Sequence, residues 1–595
     1  MSRVVRSALV VSLLVVSSAG VLLGPAHGSL EPSLAGTRDW ALDADGNGLD
    51  DALDRALAEG AAGLAYLHVH YDRRPTADDA RLLETQFGAL RTYVFRNWDD
   101  IQVEIPYARA AGLATAPGVW GVELLPPMRL DLAVATPATR VTSSTVPTFD
   151  GLNHLLSAHG AGFRGEGIVI AILDTGIDNT HLALDDLDDN PLTIDPKLVT
   201  GADFSPGMTG VGCVDPDDMH VHGTHVAGIA AGTTAGGLLP TGVAPKAKLV
   251  DIRVLTAGGI GLFYPTGLGL ALDWILDYNA GVSCYGPPGA DRIDVASLSL
   301  SVDNGHPHTT IAQKVNTVVR SGVVVVFSAG NAGPNSGTLT KGPDGAILVA
   351  NSDTRGTVSR HDDIVITSSS RGPRLSDGDT DFLDELRPDV SAPGTAIQAA
   401  LARSGVGTVG LTGTSMAAPH VAGVVALLLQ ANPALAPVDL GNHDRMGEVG
   451  AVPVRDLLQW TATRIGTQSA PQATRDGKFG LTWDNAQGYG LVDAYAGVQA
   501  ALSPPAFPLV ASTDGPARIF LGTSGTLRGM AHGGTGPYLL NWHAVSVPAG
   551  SALSGWTAAG GSVTFTPDVA GSYTVRLNAT DATSAWADRL RTFTT

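Results

Sequence analysis

Three residues in three separate segments have side chains that could cooperate in nucleophilic catalysis, and the first of them is Ser415. It lies in GTSMAAPH (413–420), at a turn that leads into an apolar helical pattern running to about Leu429. The first backbone N–H groups of a helix have no helical partner and favour negative charge, which a carbonyl develops when a hydroxyl attacks it. Ser415 is therefore a candidate nucleophile.

The other two residues, Asp174 and His222, occur where their side chains could reach that serine. Asp174 ends the run IVIAILD (168–174), which predicts a strand buried on both faces with a functional group at its carboxyl end. His222 opens HGTHVAG (222–228), a polar turn entering a helix of small residues. An imidazole with an acidic partner can take the serine proton and return it to a leaving amine. Together the three residues predict acyl transfer.

Each of these residues also has a simpler interpretation. Asp174 alone could cap a helix, and His222 and His225 could form an HxxH metal pair. Three further residues are close enough in sequence to supply another metal ligand: Asp217, Asp218 and His220. The joint occurrence of the three segments, in the order Asp, His, Ser, favours the triad over these alternatives.

The chain resembles the subtilisin-like serine peptidase family. DTGID (174–178), HGTHVAG (222–228) and GTSMAAPHVAG (413–423) match the family's segments nearly letter for letter, and the resemblance covers residues 151–502. It implies an α/β peptidase domain with Asp174, His222 and Ser415 as catalytic triad. SAGNAGP (328–334) resembles the family's oxyanion segment. Asn331 is therefore expected to donate its side-chain amide to the oxyanion, together with the Ser415 N–H.

The alternation of strand and helix patterns in residues 151–502 independently predicts a mainly parallel sheet with helices on both faces. The resemblance implies that substrate is bound by residues at the ends of two of its strands: Ser297, Leu298, Ser299, Ser328, Ala329 and Gly330. The commoner family pattern has glycine where Ser299 and Leu300 stand. The preferred substrate residue therefore does not follow from the resemblance.

The amino terminus predicts export from the cell. Arg3 and Arg6 precede a mainly apolar stretch at 8–23 and then small residues, which is typical of a signal peptide, here residues 1–28. A membrane anchor is the alternative, but the apolar run is short and interrupted. The formal net charge of −20 argues against nucleic acid as a partner. In an oxidising compartment Cys213 and Cys284 are expected to form a disulfide, with a free pair as the alternative.

An acidic segment at residues 39–56 contains DADGNGLDDALD (43–54), which resembles an EF-hand or dockerin-type calcium loop. Its candidate ligands are Asp43, Asp45, Asn47, the Leu49 carbonyl, Asp51 and Asp54. The last ligand is the shorter Asp rather than Glu, and a solvated acidic turn is the alternative. Structural calcium is thus expected, and no organic cofactor.

The regions around the peptidase domain have their own patterns. Residues 60–130 alternate β-α-β-α-β, similar to the family's inhibitory propeptide. Residues 131–150, rich in Thr, Ser, Pro and Ala, predict an exposed linker in which processing occurs. Residues 506–595 contain short alternating runs separated by turns, which predict a β-sandwich. That module resembles polycystic-kidney-disease or immunoglobulin-like domains and could bind a surface or insoluble substrate.

These features predict a secreted serine endopeptidase that acts on protein or peptide substrates through an acyl-serine intermediate. Its own propeptide is expected to inhibit it within the same chain. Two alternatives remain open: an exopeptidase of the tripeptidyl-peptidase type with the same fold, and a catalytically silent adhesion or scaffold protein.

Overall fold

A computed structural model describes residues 45–595, apart from 62, 95–99, 125–131, 147, 149, 191–192, 194, 206–210, 256–264, 283–290, 301–308, 340–341, 377–381, 441–449, 467–473, 504–506 and 517. The predicted signal peptide lies outside the described residues. The chain divides into two units, Met1–Leu125 and Pro126–Thr595, and each has its own core.

The first unit contains a four-stranded antiparallel sheet in the order β2-β3-β1-β4. Its strands are β1 (Leu64–Tyr71), β2 (Arg91–Val94), β3 (Asp100–Pro106) and β4 (Val119–Leu124), and its helices are α1 (Asp51–Ala58), α2 (Ala77–Leu82) and α3 (Tyr107–Ala110). Leu67 pairs with Val103 and Val69 with Ile101, and all four side chains are buried on the core face. The sequence pattern does not reveal β2, because four residues are too few to show a period.

The second unit contains seven helices among its described residues: α4 (Leu132–Ala138), α5 (His222–Ala231), α6 (Pro265–Asn279), α7 (Thr310–Arg320), α8 (Thr414–Ala431), α9 (Pro453–Thr461) and α10 (Ala494–Leu502). Its strands before the C-terminal region are β5 (Val169–Asp174), β6 (Leu198–Asp203), β7 (Val211–Gly212), β8 (Lys248–Arg253), β9 (Val295–Leu298), β10 (Val324–Ser328), β11 (Ile347–Asp353), β12 (Ile364–Val365), β13 (Val390–Pro393), β14 (Ile397–Ala400), β15 (Thr408–Leu411), β16 (Thr474–Asp476) and β17 (Thr482–Asp484).

Strands β5 to β13 form one mainly parallel sheet in the order β12-β11-β10-β9-β5-β8-β6-β7, with β13 paired to β11. Neighbours from β6 to β11 in this order run parallel, and β7 and β12 add antiparallel pairs at the ends. The predicted α/β fold class is confirmed. Because parallel strands end at the same edge of a sheet, the residues that follow β5, β9 and β10 lie close together.

Helices α5 and α8 are buried almost completely beside this sheet. All residues of α5 are buried, and α8 is buried over most of its length. A Cβ on Gly423 of α8 would lie 2.5 Å from the Val243 Cβ and 2.9 Å from the Ala230 carbonyl oxygen, so glycine allows the two helices to approach closely. Helix α8 is long and apolar enough to span a membrane, but 83% of it is buried inside the protein, as expected of a core helix.

Residues 131–150 are not the exposed linker that their composition predicts. Helix α4 lies within this segment, and Ala135, Ala138 and Val141 are fully buried. Arg140 donates to both carboxylate oxygens of Asp493 at 2.7 to 3.0 Å, also in a buried position. Composition is misleading here because small side chains suit close packing as well as they suit a solvated chain.

The C-terminal region forms two antiparallel sheets, β18-β19-β22 and β21-β20-β23-β24. The strands are β18 (Val510–Asp514), β19 (Gly525–His532), β20 (Leu539–Ser546), β21 (Thr557–Ala559), β22 (Ser562–Phe565), β23 (Ser572–Thr580) and β24 (Trp586–Thr594). Side chains alternate between buried and accessible along β23, and Trp542, Phe565, Tyr573 and Phe593 are buried together in one core. This β-rich architecture agrees with the prediction.

Ionic and aromatic contacts attach the C-terminal sheets to the rest of the second unit. On α9, Asp456 contacts the Lys478 Nζ at 2.7 Å and the His532 Nε2 at 3.1 Å. The ring of Phe507 packs against those of Trp460 and His532, with centroids 5.6 and 5.8 Å apart. Asp456 and Phe507 are buried and their partners are half-buried, so the sheets are docked against α9 and do not hang from a free tether.

Candidate active site

The structure joins Asp174 to His222 by a short hydrogen bond. Asp174 is the last residue of β5 and His222 the first of α5, and the Asp174 Oδ1 lies 2.7 Å from the His222 Nδ1. The backbone N–H of Thr175 donates to the same oxygen at 2.8 Å. Since a carboxylate only accepts, His222 carries its proton on Nδ1, and Nε2 is left to accept one. His222 is thus oriented as a general base.

Opposing influences act on the protonation of His222. Burial disfavours the charged imidazolium, but the charge and hydrogen bond of Asp174 and the charge of Asp218 outweigh it and raise the pKa of His222 above its ordinary value. The carboxylates therefore stabilise the positive charge that His222 acquires when it takes a proton. This is the state that a general base passes through during acyl transfer.

Asp218 is a buried carboxylate that binds the backbone around both residues. Its Oδ1 accepts from the Thr175 Oγ1 at 2.9 Å and the His220 N–H at 2.8 Å. Its Oδ2 accepts from the Thr224 N–H at 3.0 Å and the Thr224 Oγ1 at 2.7 Å. Thr175 in turn accepts from the Gly223 N–H at 2.9 Å. Asp218 thereby connects the end of β5 to the first turn of α5.

The sequence names Asp218 only as a possible metal ligand and does not reveal this role. His222 and His225 also make different contacts, since the His225 Nε2 donates to the Ile397 carbonyl oxygen at 2.8 Å. Burial lowers the pKa of His225 to about 4, so that ring stays neutral. Among the described residues there is no group of three or more His, Cys, Asp or Glu side chains placed to hold a metal. The HxxH alternative therefore has no structural support.

Ser415 lies in the first turn of α8, beside the end of β9. The Ser415 Oγ donates to the Ser299 carbonyl oxygen at 3.3 Å. Ile172 of β5 pairs with Ser297 of β9, so Asp174 and Ser299 follow at the same level on neighbouring strands, whose axes lie ~4.8 Å apart in a sheet. The nucleophile and the Asp174–His222 pair are thus held at adjacent strand ends.

The serine hydroxyl is not yet directed at the base. Within the described part of the chain, the hydrogen bonds include none between Ser415 and His222. Catalytic hydrogen bonds are often formed only once substrate is bound, and a rotation about the Cα–Cβ bond of Ser415 redirects its Oγ.

Thr414 holds the side chain of Asn331 by its amide oxygen. The hydrogen bonds to Thr414 do not involve the amide nitrogen. The Asn331 Oδ1 accepts from the Thr414 N–H at 3.0 Å and the Thr414 Oγ1 at 3.1 Å. A Cβ on Gly413 would lie 3.4 Å from the Asn331 Nδ2 and 3.7 Å from the Ser415 nitrogen. The two nitrogens therefore border one small space, in which they could donate to an oxyanion.

Three of the six predicted substrate-binding residues lie at the end of β9. Ser297 and Leu298 are the last two residues of β9, paired with Val326 and Phe327 of β10, and both side chains are fully buried. Their contact with substrate stays a prediction. Ser299 is the first residue beyond β9, and its hydroxyl is directed at Ser415.

The other three predicted substrate-binding residues lie at the end of β10. The Ser328 Oγ donates to the Leu300 carbonyl oxygen at 3.3 Å, and Ser328 and Ala329 are buried. The Gly330 N–H donates to the Thr414 Oγ1 at 3.1 Å. This segment therefore lies next to the start of α8, and its contact with substrate stays a prediction.

Two further predicted sites lie only in part within the described residues. Cys213 is disulfide-bonded, whereas Cys284 lies outside the described residues, so their pairing stays a prediction. In the calcium-like loop, Asp43 is also outside them. The Asn47 Nδ2 donates to the Asp45 Oδ2 at 3.2 Å and the Asp54 Oδ2 at 2.8 Å, so three of the predicted ligand side chains converge.

The remaining two predicted ligands extend this loop. Gly46 and Gly48 have positive φ angles of 74° and 85° on either side of Asn47, which gives the tight turn that such a loop requires. Leu49 follows the turn and Asp51 begins α1. Asp50, which is not a predicted ligand, caps α1 by accepting from the Leu53 N–H at 2.6 Å. The Asp45 and Asp54 carboxylates offer the oxygen ligands that calcium prefers, and calcium binding here stays a prediction.

Comparison with known proteins identifies relatives of the second unit. A family profile described as the subtilase family matches residues 165–490, more than half of the chain. Alkaline elastase YaB of Bacillus sp. (strain YaB) is 32% identical over 322 residues, which cover 53% of this chain and 69% of that protein. Subtilisin BL of Lederbergia lenta is 33% identical over 288 residues, 48% of this chain and 85% of its own. Subtilisin E of Bacillus subtilis (strain 168) is 31% identical over 314 residues, 52% of this chain and 64% of its own.

We expect Asp218→Asn to lower the pKa of His222, because it removes a negative charge that stabilises the imidazolium. A lower pKa leaves His222 neutral, and able to accept the serine proton, at more acidic pH. The acid limb in the pH dependence of Ser415 reaction with a fluorophosphonate should therefore move to lower pH. The matched control is Asp217→Asn at the exposed neighbouring carboxylate, which should leave that limb in place. An acid limb that Asp218→Asn does not move would contradict the assigned role.

Proposed function

Because the chain belongs to the subtilase family of serine peptidases, we propose that it is a secreted endopeptidase that hydrolyses peptide bonds through an acyl intermediate on Ser415. The observation that carries this proposal is the buried Asp174–His222 hydrogen bond at the level of Ser299, which contacts the nucleophile. The family and the serine peptidase activity come from the comparisons. Cleavage at internal bonds and secretion from the cell are parts of the proposal.

The first half of the reaction follows from the groups at the site. The His222 Nε2 takes the proton of the Ser415 Oγ as that oxygen bonds to the scissile carbonyl carbon. The carbonyl oxygen becomes negative and accepts hydrogen bonds from the Asn331 Nδ2 and the Ser415 N–H. Removal of one such donor typically costs ~10²–10³ in kcat. Asp174 stabilises the imidazolium and keeps its orientation.

The second half returns the enzyme to its starting state. His222 gives its proton to the nitrogen of the leaving peptide, the C–N bond breaks and the acyl group remains on the Ser415 oxygen. Water then loses a proton to His222 and attacks the acyl carbon. The Ser415 oxygen leaves with the proton from His222, which releases the carboxylic acid product.

Digest products distinguish an endopeptidase from an exopeptidase of the same fold. We expect an unfolded protein substrate whose amino terminus is acetylated to yield fragments of irregular length from internal sites, read by mass spectrometry. A blocked amino terminus does not hinder internal cleavage, but it prevents sequential removal of tripeptides. Cleavage of the unblocked substrate alone, with release of tripeptides, would contradict the proposal and favour the exopeptidase.

We also propose that the first unit is an inhibitory propeptide removed by the enzyme itself. Its support is the α+β order of residues 64–124, which form a separate core. Arg140 is packed against Asp493 in the second unit, so we place the cut on the N-terminal side of Leu132 and not within residues 133–150.

Ser415→Ala should block this maturation, because the substituted chain has no nucleophile to form an acyl intermediate. In a protease-deficient host the variant should accumulate as a precursor that keeps residues 60–124. Parent protein should begin on the N-terminal side of Leu132, as intact mass and amino-terminal sequencing would show. The control Ser391→Ala, at a buried serine of β13, should mature like the parent. Maturation of Ser415→Ala at the parent rate would refute self-processing.

The loop at residues 43–54 is proposed to bind structural calcium, on the support of the converging Asp45, Asn47 and Asp54 side chains. Asp45→Ala should reduce calcium stoichiometry by one ion per chain in titration calorimetry of the Ser415→Ala precursor, which retains the loop. Asp78→Ala, at an exposed aspartate of α2 in the same unit, is the control and should leave the stoichiometry unchanged. An unchanged stoichiometry in Asp45→Ala would contradict the site.

The C-terminal sheets are proposed to hold insoluble substrate or a surface near the peptidase domain. Their support is that they form a separate core docked on α9. Docking through these contacts gives the two parts a fixed separation, which is useful for a module that presents a substrate.

A further inference from the structure

The carbonyl group of the nucleophile's own residue lacks its normal helical donor. Ser415 lies in the first turn of α8, where its carbonyl oxygen would ordinarily accept from the N–H four residues later. That later residue is Pro419, whose ring nitrogen carries no hydrogen, although α8 continues through it to Ala431. The helix therefore cannot supply the usual N–H donor to the Ser415 carbonyl oxygen.

Ser299 supplies a donor from outside the helix. The Ser299 Oγ donates to the Ser415 carbonyl oxygen at 2.8 Å, and Ser299 is only 3% exposed. In the opposite direction, the Ser415 Oγ donates to the Ser299 carbonyl oxygen at 3.3 Å. The two serines thus exchange one hydrogen bond in each direction between the end of β9 and the start of α8.

We propose that Ser299 is a positioning residue for the nucleophile, whose hydroxyl replaces the helical hydrogen bond that Pro419 removes. The inference deepens the proposed peptidase function and rests on it. Ser415 has to provide both the attacking Oγ and, through its N–H, one oxyanion donor. The Ser299 bond fixes the peptide group that follows the Ser415 Cα, and thereby the orientation of both groups.

The two bonds differ in a way that suits this role. The 2.8 Å bond holds the backbone, whereas the 3.3 Å bond from the Ser415 Oγ is long for a hydroxyl donor and weak. When Oγ rotates toward His222, the weak bond is lost and the backbone bond remains. A displacement of ~1 Å at a reacting group can cost on the order of 10²-fold in rate.

The first variant removes the donor. Ser299→Ala deletes the hydroxyl while keeping the β-carbon, so the Ser415 carbonyl oxygen loses its bond. We expect kcat for a short chromogenic peptide to fall roughly three- to tenfold, as the loss of one hydrogen bond predicts. KM should change less than about twofold, because the hydroxyl that is removed is bonded to the Ser415 carbonyl oxygen and so is not a group that binds substrate. Titration of active sites corrects kcat for any protein that is not folded.

The second variant restores a donor by a different route. Pro419→Ala gives residue 419 a backbone N–H, which can bond to the Ser415 carbonyl oxygen as in an ordinary helix. Ser299→Ala should therefore have little effect in that background. We expect the kcat of the double variant to lie within about twofold of the kcat of Pro419→Ala alone. The effects of the two substitutions would then not be additive, which means that the two sites are coupled.

The control Ser391→Ala removes a hydroxyl that has no partner in the described structure and should leave kcat unchanged. An unchanged kcat in Ser299→Ala, or an equal loss in the parent and in the Pro419→Ala background, would overturn the proposal. If Ser299→Ala does not fold, recovery of folded protein in the double variant supports it and failure to recover contradicts it. A parent that cleaves no peptide would instead contradict the proposed function.

Discussion

The hydrogen bond between Asp174 and His222 is the interaction on which the rest of the site depends. It joins the carboxyl end of β5 to the amino end of α5 at 2.7 Å, in a buried position where electrostatic interactions are strong. It settles which nitrogen of His222 accepts a proton, and it stabilises the imidazolium. Asp218 and Thr175 maintain the bond indirectly, because they link the backbone on both sides of it.

The start of α8 is the second constraint, since one turn of helix provides several groups at once. Ser415 offers its Oγ and N–H, and Thr414 holds Asn331 by the amide oxygen. That turn is positioned by burial of α8 against α5, where Gly423 permits a close approach, and by Ser299 at the end of β9. The two helices that begin with the reacting residues are thus packed together in the core. Relative movement of His222 and Ser415 is restricted as a consequence.

Much of this arrangement could be predicted because its parts have strong local patterns. The run IVIAILD forms β5 with Asp174 at its end, and the three motif segments lie near the edge of the parallel sheet at which its strands end. One prediction failed because tertiary packing decides it. The Thr- and Ala-rich segment of α4 is buried, since composition alone does not distinguish close packing from a solvated chain. The positioning role of Asp218 does not follow from the sequence, because it appears only when Thr175 and Thr224 are brought to it in the fold.

The central claim is that Ser415 forms a covalent acyl intermediate with His222 as its base. Rapid acid quenching during turnover of an activated peptide ester, followed by mass spectrometry of the digested enzyme, tests this claim directly. The account predicts that the acyl group is found on the peptide that contains Ser415 in the parent. It also predicts that His222→Ala reduces the rate of its formation by orders of magnitude. Two results would contradict the account. One is an acyl group on another residue. The other is turnover without an acyl-enzyme under conditions in which hydrolysis of an acyl-enzyme would be the slow step.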